Sequence, residues 1–159
     1  MQFALRPFDA SDADWLIAEN AAHYARSDGF DDSFGVLVSE IVTDFLSDHD
    51  PSREAGWVAD DDGTRLGHIF CVQHDAHTAK LRLFFVVPAA RGRGVAQGLL
   101  DQCLGFARNA GYRGMTLWTH ESHKAAGCIY RRNGFSRVDA RPAHSFGVDL
   151  VEETWTITL

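Results

Sequence analysis

Lys80 to Gly98, read as KLRLFFVVPAARGRGVAQG, constrains the fold more than any other stretch of the chain. An apolar run from Leu81 to Val87 ends at Pro88. A short basic loop follows, Arg91-Gly92-Arg93-Gly94, and then an apolar-periodic segment from Val95 to Ala110. Strand, turn and helix start therefore fall within one short piece of sequence. A helix that begins after glycines leaves several backbone N–H groups unpaired and aims the positive end of its dipole at the turn, which suits a phosphate. Arg91 and Arg93 add full positive charges beside it. The plainer alternative is a turn that only joins strand to helix, but such a turn has no need of glycines and arginines together. A phosphorylated cofactor is expected at this loop.

The remaining segments fit around that stretch. Phe3 to Pro7 reads as a short edge strand ended by proline. Ser11 and Asp12 can cap a helix running to about Arg26, followed by a loop from Ser27 to Ser33. A second helix is predicted from about Phe34 to Asp48, with Val38, Ile41, Val42, Phe45 and Leu46 as its apolar stripe. Gly56–Asp60 and Leu66–Gln73 read as a hairpin around Asp61-Asp62-Gly63-Thr64. Beyond the helix Val95–Ala110 come a strand over Met115–Thr119, a helix from His120-Glu121-Ser122 to Asn133, and a strand over Phe135–Ala140 turned by Arg141-Pro142. In the tail Val151, Trp155, Ile157 and Leu159 alternate with Thr154, Thr156 and Thr158, the pattern of a half-buried antiparallel strand. The order β, α, α, β, β, β, α, β, α, β, β predicts one mixed α/β domain over residues 1–159.

At 159 residues the chain can bury a core of its own. No apolar run reaches the length of a membrane span, and the start MQFALRPFDASDADW lacks the order of a signal peptide. Cys71, Cys103 and Cys128 show no paired spacing and read as reduced, mostly buried thiols of a cytoplasmic protein. The net charge of −7 is uneven, −11 over residues 1–80 and +4 over 81–159. The basic surplus is too small to argue for nucleic acid. The eight histidines include His74/His77 and His120/His123, but no third ligand joins either pair, so no metal is expected.

The element order, with Arg91-Gly92-Arg93-Gly94-Val95-Ala96 directly after Val86-Val87-Pro88 and with Tyr130-Arg131-Arg132-Asn133-Gly134-Phe135 one strand later, resembles the GNAT superfamily of acyl-CoA-dependent N-acetyltransferases. More narrowly, LRLFFVVPAARGRG, TLWT, IYRRNGF and HSFGVDLVEETW resemble the acetyltransferase half of MarR-regulator/GNAT fusions. No helix-turn-helix half is expected here. The resemblance implies a mixed central sheet flanked by helices, with acetyl-CoA as co-substrate and a primary amine attacking directly in a ternary complex. It implies that Gly92, Gly94, Val95 and Ala96 hold the pyrophosphate through their backbone, flanked by Arg91 and Arg93. Main-chain groups of Phe85, Val86 and Val87 would pair with the pantetheine arm as an added strand. Tyr130 would protonate the departing thiolate, since a phenol stays protonated at neutral pH. His123 and Ala126, on the same helical face, would contact the cofactor, although the family often carries Asn where His123 stands.

The general base is open. Many relatives place a Glu early in the strand before the loop, where this chain reads Lys80-Leu81-Arg82. Glu40, beside the apolar stripe of the second helix, is the named candidate, with Glu19, Tyr24, His120 and His144 behind it. The acidic loop Asp28-Gly29-Phe30-Asp31-Asp32 is placed at the substrate mouth, and Trp15, Tyr24 and Phe30 are expected to line the acceptor site. The acceptor is read as a small-molecule amine or amino acid, with a protein amine or a non-catalytic acyl-CoA sensor as alternatives. A homodimer through the late strands is a further expectation, the Trp155-Ile157-Leu159 face serving either as core or as interface.

Overall fold

The computed structural model describes residues 2–159. A seven-stranded sheet carries α-helices on both faces, with strands ordered β1-β2-β3-β4-β5-β7-β6. In chain order the elements are β1 (Ala4–Pro7), α1 (Ala13–Asp28), α2 (Asp32–Ser47), β2 (Ala55–Asp61), β3 (Thr64–Gln73), β4 (Thr78–Val86), α3 (Val95–Asn109), β5 (Gly114–His120), α4 (Lys124–Arg132), β6 (Ser136–Ser145) and β7 (Val148–Thr158). Every neighbouring pair is antiparallel except β4 and β5. The mixed α/β architecture agrees with the element order read from sequence.

Local chemistry sets the ends of the first helices. Asp9 and Asp12 form a reciprocal capping box ahead of α1, and α1 ends at Gly29, whose φ of +73° is the left-handed cap glycine adopts at low cost. The Asp31 side chain caps α2 by accepting from the Ser33 N–H at 3.0 Å. The predicted loop between these helices thus shrinks to Gly29–Asp31. Two further expectations are corrected. His120 ends β5 instead of opening a helix, and α4 starts only after His123, its N-cap. Arg141-Pro142 does not turn the chain, because β6 runs through both residues to Ser145 and the turn falls at Phe146-Gly147. β6 is an edge strand, where a proline lacking an N–H leaves no ladder bond unmade.

The sheet separates two cores. On one face Leu99, Leu100, Cys103 and Leu104 of α3 and Tyr130 of α4 pack over Ile69, Leu81, Leu117 and Trp155. On the other, Leu16 of α1 and Val38, Val42 and Phe45 of α2 pack over Val58 and Phe70. Trp155 is buried, and Ile157 and Leu159 pack against the first core, so the apolar side of the last strand is core. Cys71 and Cys103 are buried and Cys128 is exposed. Among the described residues no helix is long and apolar enough to cross a membrane.

Candidate active site

Two irregularities in β4 shape the site. β4 pairs with β5 only over Thr78–Lys80 against Gly114–Thr116; beyond that the strands are no longer paired. Within β4, Leu83 takes a φ of +50°, and the register with β3 slips between His68 and Phe70. A non-glycine residue with positive φ inside a strand is a bulge that re-aims the backbone after it. Past the bulge the Val87 N–H donates to the Leu66 carbonyl at 2.9 Å, and Val86 stands opposite Gly67. In an antiparallel ladder alternate residues turn their backbone groups to opposite sides, so Val86 presents its N–H and C=O to the gap left by β5. Of Phe85, Val86 and Val87, expected to offer main-chain bonds together, the ladder leaves only Val86 facing the gap, because Val87 is committed to β3 and Phe85 shares its side.

The bulge is braced from behind. His68 is fully buried on β3; its Nδ1–H donates to the Leu83 carbonyl, and its Nε2 accepts from Asn20 Nδ2 at 2.8 Å. The same Asn20 amide donates to the Leu16 carbonyl at 2.8 Å. With a carbonyl on one nitrogen and an amide donor on the other, His68 is held as the neutral imidazole. Burial drives its pKa down from 6.5 to about 4, although the Leu83 carbonyl pulls the other way. Sequence reasoning gave His68 and Asn20 no role, since a lone histidine in an apolar strand carries no motif.

At the end of the gap lies the glycine loop. Gly92 and Gly94 have φ of +80° and +79°, and a Cβ at either would meet nothing within 4 Å. Gly94 is the N-cap of α3 and makes no side-chain cap, so the first N–H groups of α3 have neither a helical nor a side-chain partner. A hollow lined by such N–H groups fits a phosphate group. Arg91 is exposed, and burial, joined by the charge of Arg91, lowers the pKa of His23. Arg93 behaves otherwise than expected: its guanidinium donates to Asp61 at 2.9 Å and ties the loop to the β2–β3 hairpin. Val95 is buried, and Ala96 opens onto the surface beside it.

Tyr130 is buried with its ring 6.2 Å from Phe84 on β4, near the point where the strands part. Burial, reinforced by Tyr24 and Cys103, pushes its phenol pKa well above the ordinary value. At the carboxyl ends of β4 and β5 a cluster of rings gathers from five elements. Tyr24 lies 5.8 Å from Phe30, 5.0 Å from Phe34, 6.2 Å from Phe85 and 5.1 Å from His123. Phe146 of the β6–β7 turn closes on Phe30 at 4.9 Å, and the Phe146 carbonyl accepts from the Asp31 N–H at 2.9 Å. His120 lies 5.1 Å from His123, and its Nδ1 is buried with no hydrogen-bond partner among the described residues. Burial, together with the charge of His123, lowers the His120 pKa to about 4.

Several expectations change here. His123, expected to contact the cofactor, turns its side chain toward α1, with Nε2 2.7 Å from Asp28 Oδ2. Burial raises the Asp28 pKa, but hydrogen bonds from His123 and Ser27 outweigh it and the net shift is downward. Tyr24 and Phe30 are in the cluster; Trp15 is not, being packed edge-on against His68 at 5.8 Å within the second core. Ala126 packs against the first core. Glu40 does not lie against the apolar stripe: it is exposed on α2 and lines a shallow groove with Asp44, Asp48, Glu54 and Arg82. Glu19 is half-buried on α1, and His144 is exposed and pairs with Asp149 across the β6–β7 hairpin. Phe34 and Phe146 were missed, and Asp28, placed at the substrate mouth, was not expected to pair with His123. Asp28 had a signal, standing one helical turn after Tyr24 on the same face of α1.

Comparison with known proteins adds a family. A model described as an acetyltransferase (GNAT) domain matches residues 52–137. An uncharacterized protein of Mycobacterium leprae is 37% identical over 81 residues, 51% of this chain and 20% of that protein. A mycothiol acetyltransferase of Beutenbergia cavernae is 30% identical over 79 residues, 50% of this chain and 27% of that protein. The chain thus spans only 20% to 27% of the length of these two relatives. An acetyltransferase candidate from Salmonella typhimurium, solved with its cofactor acetyl-CoA, superposes with a TM-score of 0.82 at 16% identity, covering 100% of this chain and 95% of that one.

Proposed function

Because the chain belongs to the GNAT acetyltransferase family, we propose that it is an N-acetyltransferase moving an acetyl group from acetyl-CoA to the primary amine of a small molecule, by direct attack in a ternary complex. The observation that carries this reading is the gap between β4 and β5, reached from the glycine hollow at one end and from the aromatic cluster at the other. A pyrophosphate would take the backbone N–H groups of Gly92, Gly94, Val95 and Ala96, with Arg91 as the neighbouring cation. An extended pantetheine arm would find in Val86 the unclaimed N–H and C=O of a strand whose neighbour has left it. Acetyl-CoA supplies the activated thioester. An N–H aimed into the gap stabilises charge as it develops on the carbonyl oxygen.

Tyr130 serves as the acid. The departing thiolate needs a proton, and a phenol whose pKa is held high by burial stays protonated across the working range. The acceptor would approach from the side of Tyr24, Phe30 and Phe146, where aromatic faces suit a cationic or aryl-bearing amine. Calorimetric titration with acetyl-CoA, followed by thiol release with 2-phenylethylamine, spermidine and alanine, tests the reading. Micromolar binding and thiol release that depends on the amine support it. Binding without release from any of the three would point instead to a non-catalytic acyl-CoA sensor, and no binding would end both readings.

A further inference from the structure

An ammonium group cannot attack a carbonyl until it loses a proton, and at neutral pH a primary amine is mostly ammonium. β4 has no carboxylate to receive that proton, since its approach to the gap reads Lys80-Leu81-Arg82. The titratable groups that gather where the gap opens come from α1, β5 and the start of α4. We propose that His123 is the base that accepts the acceptor's proton, and that Asp28 is the positioning residue that fixes its tautomer and balances its charge. The inference rests on the acetyl-transfer reading above.

The geometry carries it in three ways. Asp28 Oδ2 stands 2.7 Å from His123 Nε2, so Nε2 bears the hydrogen and Nδ1 the lone pair. Among the described residues that lone pair has one hydrogen-bond contact, Thr119 Oγ1 at a loose 3.4 Å, which an incoming amine can displace. Second, the His123 ring lies 5.1 Å from Tyr24, whose ring lies 6.2 Å from Phe85 on β4, so the base and the gap meet across one phenol. Third, His123 also lines an outward groove of about 360 Å³ with Glu121, Lys124 and Glu153, a route by which the proton reaches solvent.

The other nearby groups suit the task less. His120 and His23 are both pushed down by burial, His120 to about 4, which makes each a weak proton acceptor. Tyr24 is pushed up to about 12 by burial and by Asp28, so it remains a neutral phenol. The charged groups around His123 are Asp28 from α1, Glu121 before α4, Lys124 and Arg131 of α4, and Glu153 of β7, itself bound to Arg137 of β6 at 3.0 Å.

The protons balance. The ammonium gives its first proton to His123 Nδ1, and the freed nitrogen pair forms the C–N bond as the C–S bond breaks. Sulfur leaves with the bonding electrons and takes the Tyr130 proton. The second proton lost by the nitrogen restores Tyr130. One amide, one thiol and one proton on His123 result.

The test uses His123→Gln, whose amide can still donate to Asp28, and the near-isosteric Asp28→Asn, both in the full chain. Acetyl-CoA binding is read by calorimetry, and turnover by thiol release with 2-phenylethylamine, spermidine and alanine from pH 6 to pH 10. Loss of a positioned base lowers kcat by about 100-fold or more at pH 7 in His123→Gln, with acetyl-CoA affinity within about twofold of the parent. The deficit shrinks toward pH 10, where the amine is deprotonated without help. In Asp28→Asn the loss is about tenfold, and the acidic limb of the rate profile moves to lower pH, because an imidazole without its carboxylate is harder to protonate. Should His123→Gln fail to fold, the Asp28→Asn profile alone decides. Parent-like turnover in His123→Gln, a deficit independent of pH, an unmoved Asp28→Asn profile or a parallel fall in acetyl-CoA affinity overturns this inference alone. A parent protein that binds acetyl-CoA but releases thiol with none of the three amines overturns the transfer reading and this one together.

Discussion

His68 on β3 donates its Nδ1–H to the carbonyl of Leu83, the residue whose φ of +50° places the bulge in β4. This contact couples a buried, uncharged histidine to the main chain that faces the gap, because Val86 owes its direction to the register beyond the bulge. Replacing His68 by Leu removes both of its hydrogen bonds and leaves the Leu83 carbonyl and one N–H of the Asn20 amide without a partner in the core. The expected loss is about 2–4 kcal/mol of folding stability, measured by urea denaturation.

The same contact predicts a pH signature. His68 has a folded pKa of about 4 against an ordinary 6.5. The unfolded chain therefore binds the extra proton first as pH falls. Its contribution to stability is complete above pH 6.5, declines between 6.5 and about 4, and is gone below. Over that window the parent protein should lose up to about 3 kcal/mol from this group, and His68→Gln should lack that part of the slope. Urea midpoints at pH 8, 6 and 4.5 check it; equal slopes in the two proteins would remove His68 as the source.

How legible the site was depended on the kind of signal each residue carries. The glycine loop could be read because Gly92 and Gly94 occupy positive φ, a conformation that marks itself in sequence. Tyr130 could be read from its spacing to Gly134-Phe135, where Gly134 also takes a positive φ and the Phe135 N–H returns to the Tyr130 carbonyl at 3.0 Å. The bulge at Leu83 was hidden, since leucine has no preference for that region and the cause is a histidine fifteen residues earlier on another strand. The Asp28–His123 pair spans 95 residues of sequence, so no local pattern could join them. Pro142 misled because proline breaks a central strand but not the outer edge of one. Glu40 misled because it was placed by sequence nearness to apolar residues, while the helix turns it outward.

Asp12 should dominate the response to strong acid. Its carboxylate is fully buried and accepts from Arg6 at 2.8 and 2.9 Å, from Arg65 at 2.8 Å and from the Asp9 N–H at 3.0 Å. Burial alone would raise its pKa, but these donors overcome it and hold the group below the usual carboxylate range. A depressed carboxyl pKa stabilises the fold above the unfolded value and loses that contribution as pH falls toward the folded one. Stability from Asp12 should hold down to about pH 4 and drain away below it. Asp12→Asn keeps the shape but not the charge, and with both arginines about a third exposed to solvent the cost at pH 7 is about 1–2 kcal/mol. Thermal melts at pH 7 and pH 3 test this: the variant should fall well below the parent at pH 7 and close on it at pH 3.

Gly94 should separate stability from ligand binding. Its φ of +79° costs a residue with a Cβ about 1 kcal/mol, yet nothing lies within 4 Å to clash with that Cβ. Gly94→Glu should therefore melt only a few degrees lower. It also sets a carboxylate in the hollow where the first N–H groups of α3 face outward, so acetyl-CoA should bind at least about tenfold more weakly, through charge repulsion and a filled cradle. Calorimetry on the folded variant decides: unchanged acetyl-CoA affinity would move the pyrophosphate away from this loop.

Tyr130→Phe isolates the proton returned to sulfur. The ring keeps its contacts with Phe84, Phe135 and Trp155, so the fold and acetyl-CoA affinity should be close to those of the parent. What disappears is the hydroxyl whose pKa burial has raised, and with it the donor to the thiolate. Removing a positioned general acid lowers kcat by about 100- to 1,000-fold. The loss should fall on kcat and on kcat/KM for the amine alike, because the proton is needed in the transition state and not in binding. Steady-state thiol release at pH 7.5 with acetyl-CoA saturating gives the number. A variant with parent-like kcat would mean that water, not Tyr130, protonates the leaving sulfur. One with a raised KM for acetyl-CoA and unchanged kcat would make Tyr130 a wall of the cofactor site.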